Sequence, residues 1–471
     1  MRRFLSFLPV LIAVALAAGG LALLWNPAPR YAKSLRLPEP PRPQNAAAAT
    51  VDTVLLGSTQ SGPGAPALLP GLWPCFRGEN RDAVSIETAP LARSWPESGP
   101  RKLWTIPVGE GYAGAAVRDG RVFMMDYDRE NQQSVLRALS LADGQEIWRY
   151  AYAQQVKRNH GMTRTVPATT EDAVVAMDPL CNVVCVEAAT GKLRWGINLV
   201  RQFGTVVPLW YAGQCPLIEE NRVILAPGGK EVLMMAVDLQ TGEILWKTPN
   251  PHKWQMTHSS ITPMEFEGER MYLYCGSGGV VAVSAQDGRI LWETTEWKVR
   301  TATIGSPVVV PDGRIFFADG YNVGSMMMQL EKQEGKITSK VLWRLPESVF
   351  GAVQQTPVFW EGFIYGIRAP RFDRGEVACL DLEGKIRWTS PREKGKTFGI
   401  GPLMIAEGMI LALSDEGRLA IFEATPNACV LLAESVVFEK GHEAWGPFTL
   451  AAGRLILRDF ERMICLDLKK P

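Results

Sequence analysis

The sequence predicts an all-β protein: an eight-bladed β-propeller of four-stranded antiparallel blades, its ring closed by strands from both ends of the chain and preceded by an N-terminal apolar helix. Two ladders of residues carry this reading. Trp104, Trp148, Trp195, Trp246, Trp292, Trp343 and Trp388 recur at intervals of 44, 47, 51, 46, 51 and 45 residues. Pro167, Pro216, Pro263, Pro307, Pro357, Pro402 and Pro447 recur in step, each opening an apolar run after a loop of small residues, where proline is tolerated because it starts a strand rather than interrupting one. A period in the forties with β-branched, turn-rich segments belongs to propeller blades and not to helical repeats of similar length.

Taken in order, Met1, Arg2 and Arg3 precede residues 4–25, a stretch of 22 residues without a charge. As a helix it would span roughly 33 Å, enough for a bilayer core, and the two arginines would hold its start in the cytoplasm. A cleaved signal peptide is the other reading, since Ala15-Leu16-Ala17 offers a small-x-small site. Both readings export the protein. Residues 26–70 are rich in Pro, Ala and Gly with little apolar periodicity, which predicts a flexible tether. The propeller then occupies residues 71–471, opening on Trp73, Pro74, Cys75, Phe76, Arg77 and Gly78.

Within a unit, a phrase repeats: an acid or serine, a Thr-Gly or Asp-Gly pair, and Trp four residues after Gly, as in Asp238, Thr241, Gly242 and Trp246. Such a pair predicts a tight hairpin, because glycine accepts the positive φ the turn needs. Complete units start near Ala115, Val166, Pro216, Ser260, Ser306, Thr356 and Gly401. An eighth unit near Pro447 runs out of chain after three strands, at Leu468, and residues 99–106, with Trp104, supply the missing fourth. Closure of that kind leaves no unpaired edge around the ring. Three units depart locally: one carries a four-residue insertion between Gly335 and Trp343, one lacks a residue before Gly384, and one has Leu432 and Ala433 near the tryptophan slot.

The repeated phrase resembles the docking motif of the PQQ-binding-like β-propeller repeat family, over about residues 73–471. That resemblance implies the fold strongly and the function weakly, because the family holds pyrroloquinoline-quinone-dependent alcohol dehydrogenases and also non-enzymatic scaffolds such as BamB. The motif tryptophans are expected to pack between blades, with the indole N–H on a neighbouring carbonyl. The dehydrogenases, as the resemblance implies, carry adjacent cysteines, a calcium site and a catalytic aspartate. Here no two of the eight cysteines are adjacent. Cys185, Cys379 and Cys465 fill the same small-residue slot of different blades, and Cys181 lies too far along extended chain to bridge to Cys185. No disulfide is therefore expected.

His160, His252, His258 and His442 follow no zinc spacing. Gly276, Ser277, Gly278 and Gly279 read as a hairpin turn rather than a phosphate cradle. With 471 residues, 46% hydrophobic, 21% charged and a formal net charge of +1, the chain gives no electrostatic reason to expect nucleic acid. The region to search for a ligand is the ring of loops feeding the inner strands. It carries Tyr112, His160, Arg164, Trp210, Tyr211, Trp254, His258, Trp297, Arg300, Phe398 and Trp445, of which Trp210, Trp254, His258, Arg300 and Trp445 are the chief candidates. Aromatics with cations at one mouth of a channel can hold a planar ligand or a peptide; packing of loop on loop is the plainer use. The expectation is a non-catalytic scaffold, exported to the cell envelope and attached to the membrane through residues 4–25, which binds a protein partner and holds no cofactor or metal. The alternative is a dehydrogenase or sensor using pyrroloquinoline quinone with calcium.

Overall fold

The computed structural model describes residues 55–87, 89–369 and 374–470, all within one compact unit spanning residues 47–471. The apolar stretch 4–25 and the first part of the tether lie outside the described residues. Among the described residues no helix is long and apolar enough to cross a membrane.

Eight sheets form the propeller, each built on four antiparallel strands. Blade 1 runs Ala115–Arg118, Arg121–Asp128, Gln133–Ser140 and Glu146–Ala153, and six more follow in chain order. The eighth combines Thr449–Ala451, Arg454–Arg458 and Arg462–Asp467 with Arg101–Pro107. Trp104 there stands opposite Cys465, and Ile106 opposite Met463, so the expected closure by both ends of the chain is present.

The tryptophan ladder interlocks the blades. The indoles of Trp104, Trp148, Trp195, Trp246 and Trp343 lie on the motif glycine of the following blade: a Cβ built on Gly191 would come within 2.5 Å of Trp148, one on Gly242 within 2.8 Å of Trp195, and one on Gly288 within 2.4 Å of Trp246. These glycines also hold φ near +74°, so the residue is required twice over, by backbone conformation and by the ring above it. The indole N–H groups of Trp104, Trp148, Trp195, Trp343 and Trp388 reach the carbonyls of Leu141, Ala188, Leu239, Leu382 and Thr425 in the next blade. Trp246 is the exception, its buried N–H having no acceptor, and Trp292 is buried in a core with residues of blade 5 such as Ile315 and Met328. The small-residue slot also has its reason: Cys185, Cys379, Ala138 and Ala236 sit directly across the ladder from Trp195, Trp388, Trp148 and Trp246, where a bulky neighbour would push the indole off its glycine.

The residues just before or near the ladder prolines hand a second set of contacts around the ring. The amide of Val166 donates to Cys215 Sγ, Cys215 to Ser260 Oγ, Ser260 to Ser306 Oγ and Ser306 to Thr356 Oγ1, at 3.0–3.2 Å. Small polar side chains occupy these positions because each must satisfy a backbone N–H of the preceding blade.

Two expectations are corrected. The motif turns are wider than two-residue hairpins: the amide of Gly144 donates to the carbonyl of Ser140 and that of Ser140 to Gln145, and the ladder shifts register just after, between Ala138 and Leu139. The insertion between Gly335 and Trp343 lengthens a hairpin, Gly324–Gln333 with Lys336–Leu345. The last part of the tether is ordered chain: Ser58–Ser61 adds a fifth strand to the outer edge of blade 1, pinned by Tyr150, whose hydroxyl meets both the amide of Gly57 and the carbonyl of Leu55.

From there the chain enters the middle of the ring. Trp73 bridges to Val117 on the first strand of blade 1, the carbonyl of Pro74 accepts from Thr169 of blade 2, and Arg81 donates to Ile218 of blade 3 at 2.6 Å. Arg77 reaches the opposite side, donating to Thr356 and Pro357 of blade 6 at 2.7 and 2.9 Å and to its own segment at Arg81 and Asp82. Val84–Ser85 then pairs in parallel with Ile405 and Ala406 of blade 7. The segment thus plugs the channel near the far ends of the inner strands. Phe76 and Arg77 line two cavities of ≈ 20 Å³ there, each room for about one water.

Candidate binding site at the channel mouth

At the other end, the loops that feed the inner strands bring aromatic and charged side chains together over the channel. Tyr112 is the hub. Its ring lies 5.1 Å from Trp445, 5.7 Å from Phe460 and 5.8 Å from His160, and the Arg164 guanidinium covers it at 5.2 Å. Its hydroxyl donates to Glu443 Oε2 at 2.5 Å, and burial, reinforced by that carboxylate, pushes the phenol pKa well above its usual range. Glu443 also faces His160 Nδ1 at 4.0 Å and His442 Nε2 at 3.8 Å.

A second aromatic group closes the mouth from the side of blades 2 to 5. Trp210 stacks on Tyr321 at 6.0 Å and leans on His258 at 5.9 Å. Trp210 is delivered by a long connection that begins as a one-turn helix, Leu199–Phe203, capped by the Asn198 side chain and ended at Gly204 with φ 69°. Several of these residues hold left-handed backbone: His160 (29°), Tyr211 (70°), Tyr321 (57°) and Glu443 (48°). Bulky residues adopt it only where the surroundings impose it.

The mouth loops are held by acids that sequence reading missed. Asp126 accepts from the amide of Gly109 at 2.8 Å, Asp319 from Ile304 at 2.9 Å and Asp415 from Ile400 at 2.9 Å. Asp178 and Asp459 make similar contacts with the turns beside them. Each lies within two residues of the end of the apolar second strand of its blade, a signal visible in the runs before Asp126, Asp178 and Asp319. Asp415 has an added role, accepting the Trp445 indole N–H at 2.7 Å. Burial, with Glu443 and Glu416 nearby, raises its pKa to about 7. A carboxyl raised in the fold favours the protonated native state, so its stability contribution is present below pH 4 and is lost as pH rises from 4 towards 7. Asp415→Asn keeps both acceptor contacts without the charge. Thermal and denaturant unfolding should therefore show the variant more stable above pH 7 by on the order of 3 kcal/mol, with no advantage at pH 4.

A sequence model of the family described as outer membrane protein assembly factor BamB matches residues 83–207 and 132–390. The chain belongs to this family. BamB of Yersinia pestis is 22% identical over 308 residues, covering 63% of this chain and 72% of that protein. Two solved structures share the fold. BamB from Moraxella catarrhalis matches with a TM-score of 0.51 at 13% identity, over 78% of this chain and 97% of that one. The quinohemoprotein alcohol dehydrogenase from Comamonas testosteroni matches with a TM-score of 0.59 at 13% identity, over 85% and 81%.

In this member of the BamB family, then, Tyr112, His160, Arg164, Trp210, Tyr211, His258 and Trp445 lie in or beside the mouth cluster. The other expected residues do not. Trp254 stacks on His252 at 5.3 Å and packs over Gly278 and Gly279 of blade 4. Trp297 stacks on Phe317 at 5.5 Å, Phe398 is covered by Arg418 at 4.3 Å, and Arg300 is exposed. Tyr321, Glu443, Asp415 and Phe460 complete the cluster and were not among the expected residues.

Proposed function

We propose that this BamB-family chain is a non-catalytic scaffold of the cell envelope that engages a protein partner, without a cofactor or metal. The observation that carries this is the channel: Trp73, Phe76 and Arg77 occupy it and hydrogen bonds tie the segment to blades on opposite sides, so the interior is filled by the chain's own residues. Family membership supports the same reading. The described residues also fit quinone and calcium poorly. No three His, Cys, Asp or Glu side chains among them converge to hold a metal, the cysteines are unpaired thiols, and Trp254 is spent on packing over blade 4. Export through residues 4–25, as a retained anchor or a cleaved signal, belongs to the same proposal.

The test is twofold. A partner captured from envelope fractions should bind the purified chain with saturable, stoichiometric heat in calorimetry. Titration of pyrroloquinoline quinone with calcium should give no saturable quenching of tryptophan fluorescence and no alcohol-dependent reduction of an artificial electron acceptor. Saturable binding with turnover would replace the scaffold by a dehydrogenase, and binding without turnover by a quinone sensor.

A further inference from the structure

The seam between the outer strands of blades 1 and 2 is built to receive a leucine. Leu55 is 2% exposed and packs among Tyr150, Tyr152 and Val184. A Cβ built on Gly196, in the outer strand Leu193–Asn198 of blade 2, would come within 2.9 Å of its side chain. Gly196 is not among the left-handed glycines, so the space demands glycine there and the backbone does not. After the other motif tryptophans the same position holds Thr105, Arg149, Lys247, Glu293, Arg344 and Thr389. Tyr150 reads the backbone at this seam, its hydroxyl accepting from the amide of Gly57 at 2.8 Å and donating to the carbonyl of Leu55. The strand that follows, Ser58–Ser61, has exposed side chains and pairs with blade 1 from Trp148 to Ala151, with the Thr59 hydroxyl on the carbonyl of Gly191 at 2.9 Å. One buried side chain and an edge ladder therefore hold residues 55–61, a small unit that opens at far lower cost than the ring.

We propose that residues 55–61 exchange between two copies of this chain, each strand and its Leu55 docking on the blade 1 edge of the other. A second copy presents the segment that already fits this groove in register. Between Ser61 and Ala67 runs a hinge of Gly62, Pro63, Gly64, Ala65 and Pro66, in which the amides of Gly62 and Gly64 rest on the carbonyls of Ile147 and Glu146. With Ala67 still bonded to Gly120, the opened hinge spans up to about 17 Å, and its prolines favour the extended form. What the exchange gains is apolar cover. Leu56 and Leu68, one on each side of the hinge, are 66% and 100% exposed, the most exposed large apolar side chains among the described residues. A two-fold crossing of the hinges brings both pairs of leucines together, while every docking contact made between copies replaces the same contact within one. The exchange does not depend on the scaffold reading; it would give that scaffold two channel mouths on one body.

The test uses full chains. One carries Ser58→Cys and the other Ala151→Cys, positions that face each other across the ladder; the two are mixed, concentrated and oxidised with diamide. A disulfide between positions 58 and 151, mapped by mass spectrometry, joins two chains only if the strand has changed partners. Sedimentation of the unmodified chain should show a dimer with a midpoint of roughly 0.01–1 mM, at or below the millimolar effective concentration of a strand on a short tether. Leu55→Asp should abolish the cross-link. Leu56→Ser with Leu68→Ser, at exposed positions that leave the urea midpoint of the ring unchanged, should raise the dimer midpoint about tenfold. A monomer at every concentration, a dimer without the 58–151 linkage, or a dimer indifferent to the paired serine substitutions would each overturn the exchange. So would capture of a synthetic peptide of residues 55–64 by the Leu55→Asp chain with no cross-link between the two cysteine variants, which would assign the groove to a foreign strand.

Discussion

A chain lacking residues 99–107 is expected to aggregate or to remain a non-native, denaturant-sensitive species. The deletion strips the whole ladder between Arg101–Pro107 and Arg462–Asp467, removes Trp104 from Gly144 of blade 1, and exposes the apolar edge of Met463, Ile464 and Leu466. Loss of the buried indole alone costs about 3–5 kcal/mol. The opened edge adds a template for pairing between molecules. Soluble yield, size-exclusion profile and urea midpoint are the readouts. Re-attaching the strand after Pro471 through a short turn should restore all three, because the ladder needs the strand and not its place in the chain order. Native melting behaviour in the deletion would refute the shared blade.

The second large effect is expected at Arg77. Its guanidinium serves four carbonyls, those of Arg81, Asp82, Thr356 and Pro357, and burial lowers its pKa only to about 10, so it stays charged at neutral pH. Arg77→Met keeps much of the volume and strands those acceptors in the channel. With charged-donor bonds worth about 1.5–3 kcal/mol each and incomplete rescue by water, the loss should reach at least about 3 kcal/mol. Limited proteolysis should cut residues 62–72 or 86–98 far faster in the variant, since the plug is the tie between them. Arg77→Lys should recover less than half of the loss, because one ammonium cannot span the fork. Unchanged urea midpoint and cleavage rate would show that the plug does not depend on Arg77.

Blade number, closure and the place of every motif tryptophan were legible because they repeat: a contact made once per blade leaves a periodic trace. The plug was not, because Trp73, Arg77 and Arg81 each meet a different blade once, and the sequence around them carries no period. The added strand Ser58–Ser61 was invisible for another reason. Its side chains are exposed, so backbone pairing holds it and composition reads it as linker. At the mouth, order along the chain was a poor guide to radius. Each connection starts at the rim and runs inward, so Tyr112, Arg164, His258 and Trp445, close to an inner strand, reach the channel. Trp254, Trp297 and Arg300, closer to the preceding outer strand, do not. The acids that hold these loops were not legible because the repeated phrase carries its own acid in the turn, whereas Asp126, Asp319 and Asp415 stand near the ends of second strands.

The shared blade also sets a timetable for biosynthesis. Arg101–Pro107 is made well before its ladder partner, Arg462–Asp467, and every other blade is synthesised between the two. At roughly 5–20 residues per second the wait is on the order of 20–70 s. Throughout it the growing chain is an open arc, with one lone strand at its start and a fresh edge at each newly finished blade. Anything that stalls or cuts the chain before Arg462–Asp467 is made, a premature stop near Cys465 or a protease acting before ring closure, would therefore disable the whole ring rather than one blade.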